Sequence, residues 1–231
     1  MEELLAFQEK MIQLFQLYGL SFKIEKNSHI FQEGERAEDI FFIKEGAVQI
    51  SQQTESGKEL TIRICSKGTI IGENAMFCHI NYHSTTAIAT QHTELLALSN
   101  NKLEMLITEH PNLLVDYLKW VQVENIKNQT RMRDLVMHGK KGALFSTLIR
   151  LANTYGQVQD DRSIYINSSL TNTEIANLCG TSREMINRML NDLKKHHIIS
   201  FTKGYITILD LEFLKKEIEC AHCPLIICRI D

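Results

Sequence analysis

The chain has 231 residues, of which 44% are hydrophobic and 23% charged, with a formal net charge of −3, as expected of a globular protein with one or two domains. No stretch approaches the roughly 18 apolar residues of a membrane span, and the acidic start MEELLAFQEK lacks the pattern of a signal peptide. We therefore expect a cytosolic protein with no membrane partner, whose six cysteines are buried thiols, metal ligands or redox groups rather than disulfides.

Residues 21–98 are predicted to form an antiparallel β structure. Runs such as FFIKEGAVQI and LTIRI alternate apolar and polar residues, and glycines separate the runs. This pattern is typical of a sandwich or barrel with an apolar interior. The first twenty residues predict a helix packed against it, so we assign residues 1–100 to one domain.

Two helices are predicted over residues 101–139. Asn100 or Asn101 suits the N-cap of the first, because the apolar period changes there from two to 3.6. Pro111 favours the first turn of the second helix, which runs to His138 and ends at Gly139. At 1.5 Å per residue this helix is about 42 Å long.

The long helix carries a heptad-like stripe of seven residues, which are Leu114, Leu118, Val121, Asn125, Asn128, Met132 and Leu135. One interpretation is that the helix packs on its own β domain. We favour a two-fold homodimer seam, because the stripe outlasts any face that the β domain could cover. In that case Asn125 and Asn128 set the register of the two chains.

Residues 140–215 contain the spacing of a helix-turn-helix. KGALFSTLIRLANTYG predicts a helix that ends at Gly156. Thr171 with Glu174, and Thr181 with Glu184, have the spacing of capping boxes. Two helices are therefore expected to begin ten residues apart, with the turn at Cys179-Gly180.

The second of these helices has an apolar face and a polar face, and the polar residues of its first two turns are Arg183, Glu184, Asn187 and Arg188. In a helix-turn-helix those turns meet the base edges of double-stranded DNA, where Arg pairs with guanine and Glu with cytosine. A surface helix with an internal ion pair is the alternative. IISFTKGYITIL favours DNA binding, because it predicts a wing hairpin turning at Lys203-Gly204, with lysines nearby for phosphate contacts.

The last segment, residues 216–231, carries three cysteines in a C-x2-C-x4-C arrangement: Cys220, Cys223 and Cys228. Three thiols leave one coordination site for another residue, with His222 and His138 as candidates. Spacing alone leaves a zinc site and an iron–sulfur cluster equally weighted, with a thiol redox switch as a third possibility. Leu225, Ile226 and Ile227 are expected to form a dry lid over the cysteines. The other cysteines, Cys65, Cys78 and Cys179, are expected to be buried.

From residue 20 to residue 215 the sequence resembles the CRP/FNR superfamily of bacterial transcription regulators. The resemblance is carried by EGE and IKEGAVQI, by the long helix, and by GTSREMINRML. It implies an α+β fold: an N-terminal antiparallel β-roll like cyclic-nucleotide-binding domains, a long dimerisation helix and a C-terminal winged helix-turn-helix. It also implies a homodimer that works with RNA polymerase. Arg183, Glu184 and Arg188 would read a TGTGA-type half-site in an inverted repeat, and Ser182 would contact phosphate.

The resemblance also identifies the effector pocket of the β-roll. Relatives that bind cyclic AMP have a Gly-Glu turn followed by an Arg-Ser or Arg-Thr pair, and this chain has Gly72, Glu73, His83 and Ser84 at those positions. A neutral imidazole does not replace a guanidinium under a phosphate. Nucleotide sensing is therefore not expected, although a protonated His83 would hold another anion.

The C-terminal cysteines are similar to those of Bacillus-type Fnr regulators, in which three such cysteines and an aspartate hold a [4Fe–4S] cluster. Asp134 matches that aspartate through the resemblance alone, since by itself it reads as a solvated carboxylate paired with Arg131 or His138. The cluster would join the long helix to the tail across a hinge at Gly139 and Gly142. Oxygen would then loosen both the tail and the hinge and lower operator affinity.

Two other functions are alternatives to oxygen sensing. A thiol oxidoreductase that uses Cys220 and Cys223 requires a thioredoxin-like βαβ unit, which the sequence lacks, so no enzyme is expected. A regulator that responds to a small molecule in the β-roll, with zinc or a redox switch at the tail, is the stronger alternative.

Overall fold

The computed structural model describes residues 2–78, 81–220 and 223–231. These residues form two compact units. The first consists mainly of the residues before Glu59 together with Ile62–Gln122, and the second mainly of Val123–Ile230. The division falls within the long helix, seventeen residues before the boundary at residue 139 that the sequence suggested.

The first unit is an α+β structure that begins with helix α1 (Glu2–Tyr18) and ends with α2 (Asn100–Thr108) and the start of α3 (Pro111–Tyr155). Its strands are β1 (Leu20–Ile24), β2 (His29–Phe31), β3 (Asp39–Glu45), β4 (Ala47–Gln53), β5 (Glu59–Ser66), β6 (Ile70–Ile71), β7 (Thr86–Ala89) and β8 (Thr93–Ser99). A single 3-10 turn, Glu73–Ala75, follows β6.

The eight strands pair into two four-stranded sheets, in the orders β1-β8-β3-β6 and β2-β7-β4-β5. The pairings are antiparallel, and the alternation of β3 and β4 places their apolar residues inside. Helix α1 packs on the first sheet, where the Phe15 and Phe42 ring centroids are 5.7 Å apart. The predicted β-roll and its N-terminal helix are therefore confirmed.

The start of α2 differs by one residue from the sequence prediction. Ser99 occupies the N-cap position, and Asn100 is already helical. Asn100 is buried, and its side-chain amide donates to the carbonyl of Ala37. Its side chain therefore serves tertiary packing instead of capping the helix.

Helix α3 consists of two helical stretches that meet at Gly139, whose φ of 61° and ψ of −154° are not helical. A positive φ of this kind disfavours side chains other than glycine, which explains why this residue terminates the first stretch. Pro111 forms the first turn, as predicted, and the second stretch reaches Tyr155, just before Gly156.

The predicted stripe on α3 is largely exposed on the chain. Leu114 is half-buried beside the first unit's core, whereas Leu118 is 57% exposed and Met132 is 68% exposed. Val121 and Leu135 are exposed as well. Large apolar side chains at helical spacing without cover are typical of a surface that a partner chain buries.

The second unit joins the end of α3 to a small winged domain. Its helices are α4 (Asn172–Leu178), α5 (Arg183–Lys195) and α6 (Leu211–Glu217). Its strands are β9 (Gly156–Val158), β10 (Ile164–Ile166), β11 (Ile199–Thr202) and β12 (Tyr205–Ile208), which form one sheet in the order β11-β12-β10-β9. Its core includes Leu148 of α3, Ile175 of α4 and Ile186 of α5. The winged helix-turn-helix is thus confirmed.

Over the part of the chain that the structure describes, none of the helices has the length and apolar character needed to cross a bilayer.

Candidate nucleic-acid interface and metal centre

Helices α4 and α5 begin with different caps. At α4, Thr171 and Glu174 form the predicted capping box. At α5 the cap is Ser182, which accepts from the amide of Met185, so the predicted box of Thr181 with Glu184 is wrong. The hydroxyl of Thr181 is instead buried, and it has no hydrogen-bond partner among the described residues. The later start brings the hydroxyl of Ser182, which the resemblance had linked to phosphate, into the cap.

Helix α5 exposes the predicted base-reading side chains together on one face. Ile186, Leu190 and Leu193 are buried on the other face. The exposed residues are Ser182, Arg183, Glu184, Asn187 and Arg188. Because these five residues fall within the first two turns, this end of α5 presents both hydrogen-bond donors and a carboxylate acceptor to a ligand.

Two contacts fix the chemistry of this face. The side-chain amide of Asn172 donates to the Asn187 carbonyl oxygen at 3.1 Å, which orients Asn187 from the neighbouring helix. The pKa of Glu184 is lowered, first by hydrogen bonding to its own backbone amide and then by the Ser182 hydroxyl. Glu184 is therefore an ionised acceptor at neutral pH.

The wing follows α5 and turns where the sequence predicted. Lys203 and Gly204 have φ values of 51° and 87°, the pair of positive angles that a two-residue type I′ hairpin requires. A side chain at Gly204 would also lie 2.6 Å from the Ser169 hydroxyl. Lys203 is exposed at this tip, which suits a contact to a phosphate.

Two of the C-terminal cysteines, Cys220 and Cys223, lie close enough to the third, Cys228, to affect its pKa. Cys220, Cys223 and Cys228 are all half-buried and free of disulfides. Burial raises the pKa of Cys228, Arg150 opposes this effect, and the other two thiols raise the pKa further. The tail therefore gathers the three thiols in one region of the second unit.

Asp134 is a buried residue of the first half of α3, only 2% exposed. Its carboxylate accepts from the Ser146 hydroxyl at 2.6 Å and from Arg133 Nε at 2.9 Å, and it lies 3.7 Å from Arg150 Nη2. The expectation of a solvated carboxylate paired with Arg131 or His138 is wrong. Packing of the second half of α3 against the first excludes water from this position.

Arg133 connects Asp134 to the thiols. Its pKa is raised first by its hydrogen bond to Asp134, and to a smaller extent by electrostatic interaction with Cys223 and Cys220. Asp134 therefore pairs with both Arg133 and Arg150, while Cys220 and Cys223 interact with Arg133 and Cys228 interacts with Arg150.

The donor set fits an iron–sulfur cluster chemically. Three thiols supply soft ligands, and a buried carboxylate supplies one oxygen ligand. Within the described residues, no three His, Cys, Asp or Glu side chains are arranged to hold a metal ion. His138 is half-buried, and His222 lies outside the described residues.

The tail lid and one thiol differ from the sequence expectation. Leu225 is 66% exposed, so it does not cover the cysteines, whereas Ile227 and Ile230 are buried. Cys78 is exposed instead of buried, while Cys65 and Cys179 are buried as expected. Burial raises the pKa of Cys179 to about 12, so that thiol stays protonated.

The degenerate effector pocket of the β-roll is arranged around internal contacts. Arg63 of β5 pairs with Glu73, the residue after Gly72, and both side chains are nearly buried. The His83 ring stacks on Phe31 with a centroid distance of 3.8 Å. Burial lowers the pKa of His83, with Glu35 opposing the shift, so the imidazole is uncharged at neutral pH.

This pocket therefore lacks the cation that a cyclic nucleotide phosphate requires at position 83. The neighbouring Ser84 is exposed, and its carbonyl accepts from the Gln52 side chain.

Sequence reasoning missed three residues of the metal-centre region: Arg133, Ser146 and Arg150. Arg150 gave the clearest signal, because it interrupts the apolar run TLIRLA, where a charge must find a partner. Nothing in the local sequence indicated Ser146 as a partner of Asp134, twelve residues away across Gly139.

Two family models match the chain. Residues 21–110 match the cyclic nucleotide-binding domain and residues 143–217 match the Crp-like helix-turn-helix domain. The first covers the β-roll and α2, and the second covers α4, α5 and the wing.

Curated relatives and solved structures agree with this division. The chain is 42% identical over 210 residues to the anaerobic regulatory protein of Bacillus subtilis, covering 90% of this chain and 88% of that protein. It is 28% identical to the global nitrogen regulator of a Synechocystis strain, covering 80% and 82% of the two chains. Both relatives are regulators rather than enzymes.

Among solved structures, the c-di-GMP responsive global regulator CLP of Xanthomonas campestris matches with a TM-score of 0.77 at 17% identity, covering 87% of this chain and 99% of that one. FixK2 of Bradyrhizobium japonicum matches with a TM-score of 0.73 at 16% identity, covering 86% and 96%. These likenesses concern the fold. The chain contains a winged helix-turn-helix, and over 90% of its own length it is 42% identical to a curated transcription regulator. It therefore belongs to the CRP/FNR family of transcription regulators.

Proposed function

We propose that this protein is an oxygen-responsive, dimeric transcription regulator of anaerobic metabolism that reads a TGTGA-type inverted repeat. Its DNA binding would depend on a [4Fe–4S] cluster held by Cys220, Cys223, Cys228 and Asp134. One observation carries the proposal: the buried carboxylate of Asp134 pairs with both Arg133 and Arg150, and each of these arginines also interacts with tail thiols, Arg133 with Cys220 and Cys223 and Arg150 with Cys228. The similarity to a protein named anaerobic regulatory protein supports the same conclusion.

The protein's own residues would each have a defined part. The cysteine thiols bind iron, and Asp134 supplies the oxygen ligand from the other side of the Gly139 hinge. When bound, such a cluster would supply an oxygen-labile metal centre that links the tail cysteines to Asp134. A ligand that binds only one arrangement of a hinge stabilises that arrangement by its differential affinity.

The homodimer would form along the exposed stripe of α3. Leu118, Val121, Met132 and Leu135 are uncovered apolar residues, and burying them against a second copy removes that surface from water. A two-fold axis along α3 would allow the two α5 helices to bind half-sites about 34 Å apart, one turn of DNA.

DNA recognition is assigned to the exposed end of α5. Arg183 and Arg188 would donate to guanine, and the ionised Glu184 would accept from cytosine. Asn187 lies between them, oriented by Asn172. Ser182 and Lys203 would contact phosphates, and the bound dimer would then engage RNA polymerase.

The test begins with protein purified without air. We expect a brown protein with iron and acid-labile sulfide in equal amounts, which binds a TGTGA inverted repeat and loses both colour and DNA binding in air. Cys223→Ala should abolish both properties, whereas Cys78→Ala, at an exposed cysteine outside the tail, should retain them. Oxygen-sensitive DNA binding by Cys223→Ala would refute the proposal.

The same samples distinguish the alternatives. Equimolar zinc without sulfide would favour a structural zinc site at the tail. Binding of a cyclic nucleotide in calorimetry would favour an effector mechanism in the β-roll. The uncharged His83 and the Arg63–Glu73 pair argue against that second outcome.

A further inference from the structure

The C-terminal segment is held on α3 mainly through its main chain. Arg150 Nη1 donates to the carbonyl of Ile227 at 2.9 Å. Arg131 Nη2 donates to the carbonyls of Arg229 and Ile230 at 3.1 and 2.9 Å. Hydrogen bonds from a charged donor are about twice as strong as neutral ones, so each of these arginine contacts contributes more to the attachment of the tail than a neutral hydrogen bond does.

Neutral contacts from the second half of α3 supplement the two arginines. The Asn153 side-chain amide donates to the carbonyl of Cys228 at 2.8 Å, and the amide of Ile230 donates to the Thr154 hydroxyl at 3.0 Å. The side chains of Ile227 and Ile230 are 7% and 3% exposed, so apolar burial adds to the attachment.

Arg150 joins the tail to both halves of α3. Besides Ile227, its guanidinium donates to the Thr130 hydroxyl at 2.9 Å and to the Ser146 hydroxyl at 3.1 Å. It also lies 3.7 Å from the Asp134 carboxylate. A guanidinium that is 3% exposed requires a counter-charge and several acceptors, and these partners supply both.

The two arginines hold the segment through its carbonyl oxygens and not through its cysteine sulfurs. Asn153 is different, because its side chain donates to the Cys228 carbonyl and also hydrogen-bonds the Cys228 thiol, which lowers the pKa of that thiol against the larger effect of burial. The arginine contacts and the chemistry of the thiols therefore involve different atoms.

We propose that Arg131 and Arg150 are positioning residues that clamp the main chain of the tail, which carries the cysteine thiols, on the helix that carries Asp134 before any metal binds. The inference deepens the proposed function, because the thiols it positions are the proposed cluster ligands. It differs from the expectation that the tail loosens when the cluster is lost. With the clamp in place, the tail would stay docked when the cluster is lost. The change would fall on Asp134, which would no longer bind metal and would pair with Arg133 and Arg150 instead.

The experiment follows amide hydrogen exchange of the full-length protein, both as purified without air and after a chelator has removed any metal. The probes are the amides of Ile227, Cys228 and Ile230, which donate within the tail or to Thr154. We expect slow exchange in both samples. Arg131→Gln should speed exchange of the tail by tenfold or more in the chelated sample, because it removes two charge-assisted hydrogen bonds.

Three further variants sharpen the test. Arg131→Lys keeps the charge but not the planar guanidinium, whose Nη2 donates to both carbonyls, so it should give an intermediate rate. Arg133→Gln is the matched control, because among the described residues Arg133 donates to Asp134 and not to a tail carbonyl. It should leave tail exchange unchanged. Arg150→Gln should speed exchange of the tail amides as Arg131→Gln does. If Arg150→Gln unfolds the domain, the exchange rate of Arg131→Gln still tests the inference.

Fast tail exchange in the chelated wild-type protein would overturn the inference, as would unchanged exchange in Arg131→Gln. These results are independent of whether iron is found. A protein with no iron but a clamped tail would refute the proposed function alone, and a protein with a cluster but a mobile chelated tail would refute the clamp alone.

Discussion

The Ser146 hydroxyl donates to the Asp134 carboxylate at 2.6 Å and so joins the two halves of α3 across Gly139. Asp134 precedes the non-helical residue and Ser146 follows it, so the bond spans the bend itself. Both side chains are buried, and Arg150 donates to the same serine oxygen. The bend at Gly139 is therefore fixed by side chains as well as by the backbone.

The first prediction concerns the charge of Asp134. Asp134→Asn leaves the buried Arg150 guanidinium without its counter-charge, and removing one partner of a buried pair costs about 3 kcal/mol or more. Urea unfolding of chelated protein should show a loss of this size. The exposed Asp160→Asn is the matched control and should stay within about 0.5 kcal/mol of wild type. A stable Asp134→Asn protein would mean that Arg150 is compensated by other groups.

Two glycines of the hinge should respond differently to substitution. Gly139→Ala meets no neighbour within 4 Å but must adopt a φ of 61°, a cost of about 1–2 kcal/mol. In Gly142→Ala the new carbon would lie 2.3 Å from His138 Cβ and 2.5 Å from the Asp134 carbonyl oxygen. Since these contacts force the bend to open, Gly142→Ala should lower operator affinity as well as stability. Lys140→Ala, at an exposed neighbouring position, should change neither.

Measuring the DNA affinity of two variants should distinguish base contacts from phosphate contacts. Arg188→Ala should weaken binding to a TGTGA site by about 1–3 kcal/mol and reduce discrimination against other sequences. Lys203→Ala at the wing tip should weaken binding to all sequences alike and lower the slope of log affinity against log salt by about one. Equal losses on specific and random DNA for Arg188→Ala would show that it contacts phosphate only.

The β-roll should lose stability in mild acid through His83. Burial lowers its pKa in the folded protein below the ordinary value of 6.5, so the unfolded chain binds the proton more readily. This contribution is fully present above pH 6.5 and declines as the pH falls below it. His83→Gln removes the titrating group, so its Tm should fall less than that of the wild type between pH 7.5 and 5.5. Parallel curves for the two proteins would show that His83 is not the responsible group.

Features set by neighbouring residues could be predicted from the sequence. The capping box of α4 depends on two side chains three residues apart, and the wing turn depends on Gly204 beside Lys203. Each of these motifs satisfies its own backbone, so its conformation needs little help from the rest of the chain. The predicted N-cap of α5, Thr181, is one residue before the observed one, Ser182. Both residues offer a hydroxyl, and only packing of the helix distinguishes them.

Features set by distant residues could not be predicted in this way. The partners of Asp134 come from a helical stretch on the other side of Gly139, and the direction of that stretch depends on a single φ angle. The exposure of Cys78 depends on how the chain leaves the short turn at Glu73–Ala75, for which its apolar neighbours gave no sign. The resemblance supplied Asp134, but its environment required coordinates.

The clamp on the C-terminal segment limits how the sequence of that segment can change. Arg131 and Arg150 bind carbonyl oxygens, which every residue type offers, and side chains such as Leu225 project into solvent. Substitutions at such positions leave the hydrogen bonds in place. Insertion or deletion of one residue after Cys223 would instead shift the carbonyls relative to both guanidinium groups. The segment is therefore constrained in its length more strongly than in its composition.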